Sequence, residues 1–154
     1  MINIAADIAW SRQEHEAFHD SRYSRGHVWR FDGGAEVPAS SSPHIVPLPY
    51  SVAASVDPEE AYVAALSSCH MLVFLGLAAK AGFVVNRYED SAAGIMEKNA
   101  EGLLWISRVT LRPRVVYQGP GPTPSDEEAL HHRAHQQCFI ANSVRTMVET
   151  ILER

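Results

Sequence analysis

Two cysteines, Cys69 and Cys138, carry the most nucleophilic side chains of this 154-residue chain. A thiolate attacks peroxides, disulfides and metals, and two thiols that meet can cycle through a disulfide. The pair is too far apart in sequence to be a CxxC redox loop, so only the tertiary fold can bring the sulfurs together. Taken alone, a cysteine placed as Cys69 is in Ser67-Ser68-Cys69-His70 is more often a small buried hydrophobe within apolar sequence. Cys138 closes a run containing His131, His132 and His135. On a helix His131 and His135 stand at i, i+4 and Cys138 three residues further, so these three can face one way as zinc ligands. Set against zinc, no second ligand cluster at zinc spacing is present, and histidines late in a helix interact favourably with its dipole while staying solvated.

These residues need elements to hold them. Asp57-Pro58-Glu59-Glu60 is a helix start, with Asp57 as N-cap, Pro58 at the first helical position and Glu60 as the capping-box partner. The helix can run for about 24 residues and stop at Ala81-Gly82. It carries Cys69, and its second half is apolar nearly all round, which predicts a helix buried inside protein. Ser125-Asp126-Glu127-Glu128 opens a second helix carrying the histidines and Cys138. Ile2, Ile4 and Ala6 alternate with other residues, and Tyr23, Arg25, His27, Trp29 and Phe31 share one face of a period-2 pattern, so a strand is expected in each segment. Asp32-Gly33-Gly34 supplies a turn. Pro38, Pro43, Pro47 and Pro49 restrict residues 35–56 to loop or edge strand. Tyr88 to Glu97 and Leu103 to Tyr117 read as an antiparallel hairpin turning at Asn99–Gly102. Ser143 to Leu152 is helix or strand on periodicity alone. Helices interleaved with antiparallel strands make an α+β fold.

Composition excludes some partners. Thirteen Lys and Arg against eighteen Asp and Glu leave a net charge of -5, with no basic cluster to neutralise a phosphate backbone, so nucleic acid is not an expected partner. The first ten residues lack a basic lead and are interrupted by Asp7, unlike a signal peptide. The uninterrupted apolar run from Met71 to Ala79 is too short to cross a bilayer. The expectation is a single cytoplasmic domain spanning residues 1–154, away from membranes.

Asp57-Pro58-Glu59-Glu60 followed by Ala64-Ala65-Leu66-Ser67-Ser68-Cys69-His70-Met71, with Ala134-His135-Gln136-Gln137-Cys138 near the end, resembles the OsmC/Ohr family of thiol-dependent hydroperoxide reductases. The likeness extends from about Tyr23 to the C-terminus and departs at Phe139, where many members have proline. It implies antiparallel sheets packed around two long helices in an intertwined homodimer, and no cofactor. It also implies a peroxidatic thiol at Cys69, a resolving thiol at Cys138, and an external dithiol, either lipoyl-type or a thioredoxin-like protein, as reductant of an enzyme acting on organic hydroperoxides. A thiolate in apolar surroundings needs a cation beside it. Tyr23-Ser24-Arg25-Gly26-His27 corresponds to the family segment that supplies an arginine, which assigns the role to Arg25, with Arg22 and Arg30 as neighbours. The resemblance gives Glu59 the task of orienting that arginine. His27, on the predicted strand face of Arg25, and His70, next to Cys69, are assigned to substrate binding. Ten helical residues separate Glu59 from Cys69, roughly 15 Å, so on an unbroken helix Glu59 serves a site built with a second chain. A third reading is a ligand-binding member of the family whose cysteines are not catalytic.

Overall fold

The computed structural model describes residues 1–152. The chain forms two compact units, Met1–Ala61 and the remainder from Tyr62 onward.

In the first unit, β1 (Ala6–Ala9), β2 (His27–Phe31) and β3 (Glu36–Ala39) form an antiparallel sheet in that order. The period-2 pattern overstates both early strands. Ile2 and Ile4 lie outside β1 and are exposed. The Arg25 N–H donates to the Tyr50 carbonyl at 2.9 Å instead of joining a ladder, so Tyr23 and Arg25 precede β2 and share no strand face with His27. The turn at Asp32-Gly33-Gly34 forms as expected: the Gly34 N–H donates to the Phe31 carbonyl at 2.9 Å, with Gly34 at φ +84°. Pro38 sits in the edge strand β3, where its missing N–H disrupts nothing. The proline-rich loop is tied back by buried Ser40, whose N–H donates to the Val56 carbonyl at 3.0 Å and whose hydroxyl accepts from the Val52 N–H at 2.9 Å.

Helix α1 (Pro58–Lys80) opens with the predicted reciprocal cap: the Asp57 carboxylate accepts from the Glu60 N–H at 2.7 Å, and the Glu60 carboxylate from the Asp57 N–H at 3.3 Å. It ends as the sequence indicates. Gly82, at φ +87°, donates its N–H to the Ala79 carbonyl and Phe83 donates to the Ala78 carbonyl, a pair of bonds that satisfies the last carbonyls.

Within the second unit, α1 buries one face only: Leu66, His70, Phe74, Leu77 and Ala78. Ala64, Ser68, Leu72 and Gly76 on the opposite side are exposed, Leu72 by 65%. A helix apolar all round is therefore half uncovered by its own chain. Counted over the whole helix rather than the uninterrupted apolar run, α1 is long and apolar enough to cross a membrane by length and composition, a test that a core helix also meets.

The expected hairpin forms, but each arm is broken. β5 (Ala93–Lys98) pairs with β6 (Leu104–Leu111) around the Asn99–Gly102 turn, while β4 (Val84–Asp90) pairs with β7 (Pro113–Gln118). At the break the Asp90 carboxylate takes the Arg112 N–H at 2.6 Å, and Pro113 has no N–H to offer. Helix α2 (Pro124–Gln137) is capped by Thr123, whose hydroxyl accepts from the Asp126 N–H at 3.2 Å, slightly earlier than the Ser125 start suggests. The ambiguous last segment resolves as β8 (Met147–Thr150), lying parallel to β6. Phe74, Leu77 and Ala78 meet Leu130 and Ala134 of α2 in one core, and Leu66 meets Val109 and Leu111 of β6 in another.

Candidate active site

The second unit brings the two cysteines together. Cys69 projects from the middle of α1 and is half-buried, Cys138 is 1% exposed, and both are free thiols. Sequence reading places Cys138 within α2. Instead the helix ends at Gln137 and Cys138 is its cap residue in extended conformation, at ψ 114°. Asn142 fixes the turn by donating from its backbone and its side chain to the Cys138 carbonyl, both at 3.0 Å, and the Ala141 N–H donates to Cys138 Sγ at 3.4 Å. Burial, then a side-chain hydrogen bond with Cys69, pushes the Cys138 thiol up to about 11, against the opposing effect of the Ala141 N–H. Cys138 is therefore a protonated thiol at neutral pH, and it lies beside the more accessible Cys69.

His70 does not reach a surface. It is 1% exposed, and its Nε2 is 3.0 Å from Nδ1 of His131 on α2, itself 2% exposed. Burial is the leading cause that pulls His70 down to about 4, ahead of His135, while Asp90 acts the other way. Burial, then the neighbouring His70, pulls His131 down to about 3. Both rings are neutral at ordinary pH, each bonded at one nitrogen, with His70 Nδ1 and His131 Nε2 buried and without a partner among the described residues. The sequence signal for this pair was available as the histidine next to each cysteine-bearing segment, but no spacing rule connects residues 61 positions apart.

His131, His132 and His135 line a cavity of about 390 Å³ with Glu128, Val148, Thr150 and Leu152. Among the described residues no group of three or more His, Cys, Asp or Glu side chains is placed to hold a metal ion. The zinc reading thus lacks a ligand set among the described residues, with His131 bonded to His70 in the core and the Cys138 thiol beside Cys69.

The remaining expected residues lie in the first unit. The Arg25 guanidinium rests 3.7 Å from the Tyr23 ring centre and donates to the carbonyls of Ser21, at 2.7 Å, and Tyr23. Arg22 and Arg30 are each paired with a carboxylate, Asp20 and Glu36, whereas Arg25 has no such ion pair among the described residues. His27 has both ring nitrogens engaged: Trp29 Nε1–H donates to Nε2 at 2.9 Å, which leaves Nδ1 to donate to the Arg25 carbonyl at 2.8 Å. It braces the Arg25 backbone rather than offering a free nitrogen to substrate. Glu59, in the first turn of α1, has a buried Oε2 with no hydrogen-bond partner among the described residues.

A sequence profile of the OsmC-like proteins matches residues 53–153. No match is found among curated proteins. Among solved structures, an OsmC-like protein of unknown function from Vibrio cholerae is 54% identical, with a TM-score of 0.96 over 99% of this chain and 100% of its own. An organic hydroperoxide resistance protein from Elizabethkingia anophelis, with thiocyanate bound, is 18% identical with a TM-score of 0.72 over 99% and 94% of the two chains. A Bacillus subtilis organic hydroperoxide resistance protein is 17% identical with a TM-score of 0.64 over 97% and 98%. These last two share the fold. With its α+β architecture, its profile match and its Vibrio relative, this chain belongs to the OsmC family.

Proposed function

We propose that the protein is a cytoplasmic thiol peroxidase that reduces organic hydroperoxides. The observation that carries this reading is the contact between the accessible Cys69 and the buried, protonated Cys138. The Cys69 thiolate attacks the terminal peroxide oxygen, the O–O bond breaks, and the alkoxide leaves to take up a proton as the alcohol. Cys69 is then a sulfenic acid. Cys138 attacks that sulfur, a disulfide forms and water leaves with the thiol proton. An external dithiol, lipoyl-type or carried by a thioredoxin-like protein, returns both thiols by exchange and is itself oxidised to a disulfide.

Arg25 is the cation that holds the thiolate, which fits its having no carboxylate partner among the described residues. Glu59 orients it across a homodimer. Two observations support the second chain: α1 is unbroken from Pro58 to Lys80, which separates Glu59 from Cys69 by roughly 15 Å, and Glu59 Oε2 is buried without a partner among the described residues. The exposed apolar side of α1 is the kind of surface a second copy covers.

The test is intact mass spectrometry after one equivalent of cumene hydroperoxide. The intact protein should lose two mass units to the disulfide, the Cys138→Ser variant should gain sixteen as sulfenic acid, and Cys69→Ser should not react. Reaction of Cys69→Ser at the parent rate overturns the assignment.

A further inference from the structure

The His70–His131 pair has no part in the peroxide chemistry above, yet it lies beside it. His70 follows Cys69 on α1, and His131 precedes Cys138 by seven residues, two helical turns, on α2. The two rings are nearly coplanar, 5° apart with centroids at 5.3 Å, so the 3.0 Å N···N contact is an in-plane hydrogen bond. The far side of the unit is closed by Phe74, stacked on His131 at 4.1 Å, and by Tyr88 at 6.4 Å. The arrangement is poor for stability alone. Each buried ring leaves one nitrogen without a partner among the described residues, a desolvation cost that two apolar side chains would avoid. What the pair supplies that apolar packing does not is direction: one linear bond fixes how far α2 can slide or turn along α1.

Resting on the peroxidase reading, we propose that His70 and His131 are positioning residues that lock α2 against α1 at the separation Cys138 needs to capture oxidised Cys69. Disulfide closure tolerates a narrow window, with Cα atoms about 4.4–6.8 Å apart, and a slip of a single helical residue is 1.5 Å. Loosening the lock leaves the oxidation of Cys69 intact and slows its condensation with Cys138, so the sulfenic acid persists and meets more peroxide.

The experiment measures disulfide closure without peroxide. Diamide takes two electrons and two protons from the thiol pair and is reduced to the hydrazine, so its closure rate reports how readily the sulfurs meet. His131→Phe keeps a ring and removes the bond, whereas His131→Asn places an amide oxygen where Nδ1 stood. Closure should slow roughly tenfold or more in His131→Phe and return close to the parent rate in His131→Asn. With hydroperoxide in excess, His131→Phe should accumulate Cys69 sulfinic acid at the expense of disulfide, while the rate of the first oxidation stays put. If His131→Phe does not fold, the contrast in diamide closure alone is read between His70→Leu and His70→Gln. Parent closure rates in a folded variant lacking the bond overturn the proposal. A parent protein that closes with diamide but ignores hydroperoxide overturns the peroxidase reading instead, and the two failures stay separate.

Discussion

Ser67 on α1 donates its hydroxyl proton to the carboxylate of Asp90, whose other oxygen accepts the Arg112 N–H at the break between the two halves of the hairpin. One half-buried carboxylate thus ties the turn of α1 just before Cys69 to both arms of the sheet. Asp90→Ala should lower unfolding free energy by about 2–4 kcal/mol, because two charge-assisted bonds are lost at once. Urea denaturation followed by circular dichroism measures it, and a change under half a kcal/mol would mean that the knot contributes little.

The two thiols should alkylate in sequence. Cys69 is accessible and Cys138 is both buried and pushed up to about 11, so iodoacetamide at neutral pH is expected to add once, at Cys69. The second addition should wait for strongly alkaline pH or denaturant. Peptide mapping of the singly labelled protein decides it, and a label on Cys138 would contradict the burial described here.

Arg25→Met should cut hydroperoxide turnover near neutral pH by about two orders of magnitude or more, since a cation beside a thiolate is what keeps it ionised in apolar surroundings. Arg22→Met and Arg30→Met are expected to leave turnover within about twofold, because their partners are surface carboxylates. Steady-state assays on the three variants separate them, and equal losses in all three would remove Arg25 from its assigned role.

The neutral histidine pair makes stability depend on pH in one direction. An imidazole held below its ordinary pKa in the fold binds a proton more readily in the unfolded chain, so its contribution is complete above about pH 6.5. It is lost as pH falls toward about 4 for His70 and about 3 for His131. Unfolding free energy should therefore decline from pH 7 to pH 4 with a slope of up to ~1.4 kcal/mol per pH unit for each imidazole. In His131→Phe one proton should disappear from that slope. A profile of the same steepness would place the titration elsewhere.

Gly94 on β5 lies against Val63 of α1, and a Cβ there would come within 2.9 Å of the Val63 Cγ2 methyl. Gly94→Ala should destabilise by about 1–3 kcal/mol through overpacking, and Val63→Ala should restore part of that loss when combined with it. A double-mutant cycle in urea checks the coupling, and additive effects would show that β5 simply moves away.

Local signals were legible where the chemistry was local. Asp57 and Glu60 announce their own cap, Gly82 its left-handed turn, and Asn99–Gly102 the hairpin, because each rests on residues a few positions apart. The breaks at Asp90 and Arg112 were not legible, since an unbroken period-2 pattern does not reveal a side chain replacing a ladder bond. The alternation through Tyr23 and Arg25 misled for the opposite reason: the Tyr50 carbonyl, far along the chain, takes the Arg25 N–H that a strand would have used. Cys69 and Cys138 were both identifiable as candidates. Their contact, the inward turn of His70 onto His131, and the self-contained bonding of His27 are tertiary facts that spacing does not encode.

The long stretch of chain between Cys69 and Cys138 gives oxidation a mechanical meaning. Their contact exists only when α1 and α2 are docked, and a bond between them would close a loop of nearly seventy residues in the unfolded chain. Restricting the unfolded ensemble that much favours the folded state by roughly 4 kcal/mol. Turnover would then alternate between a softer reduced molecule and a stiffer oxidised one. The molecule awaiting its reductant would be the form that resists heat and proteolysis best, and a reductant shortage would leave a durable pool of protein ready for recycling.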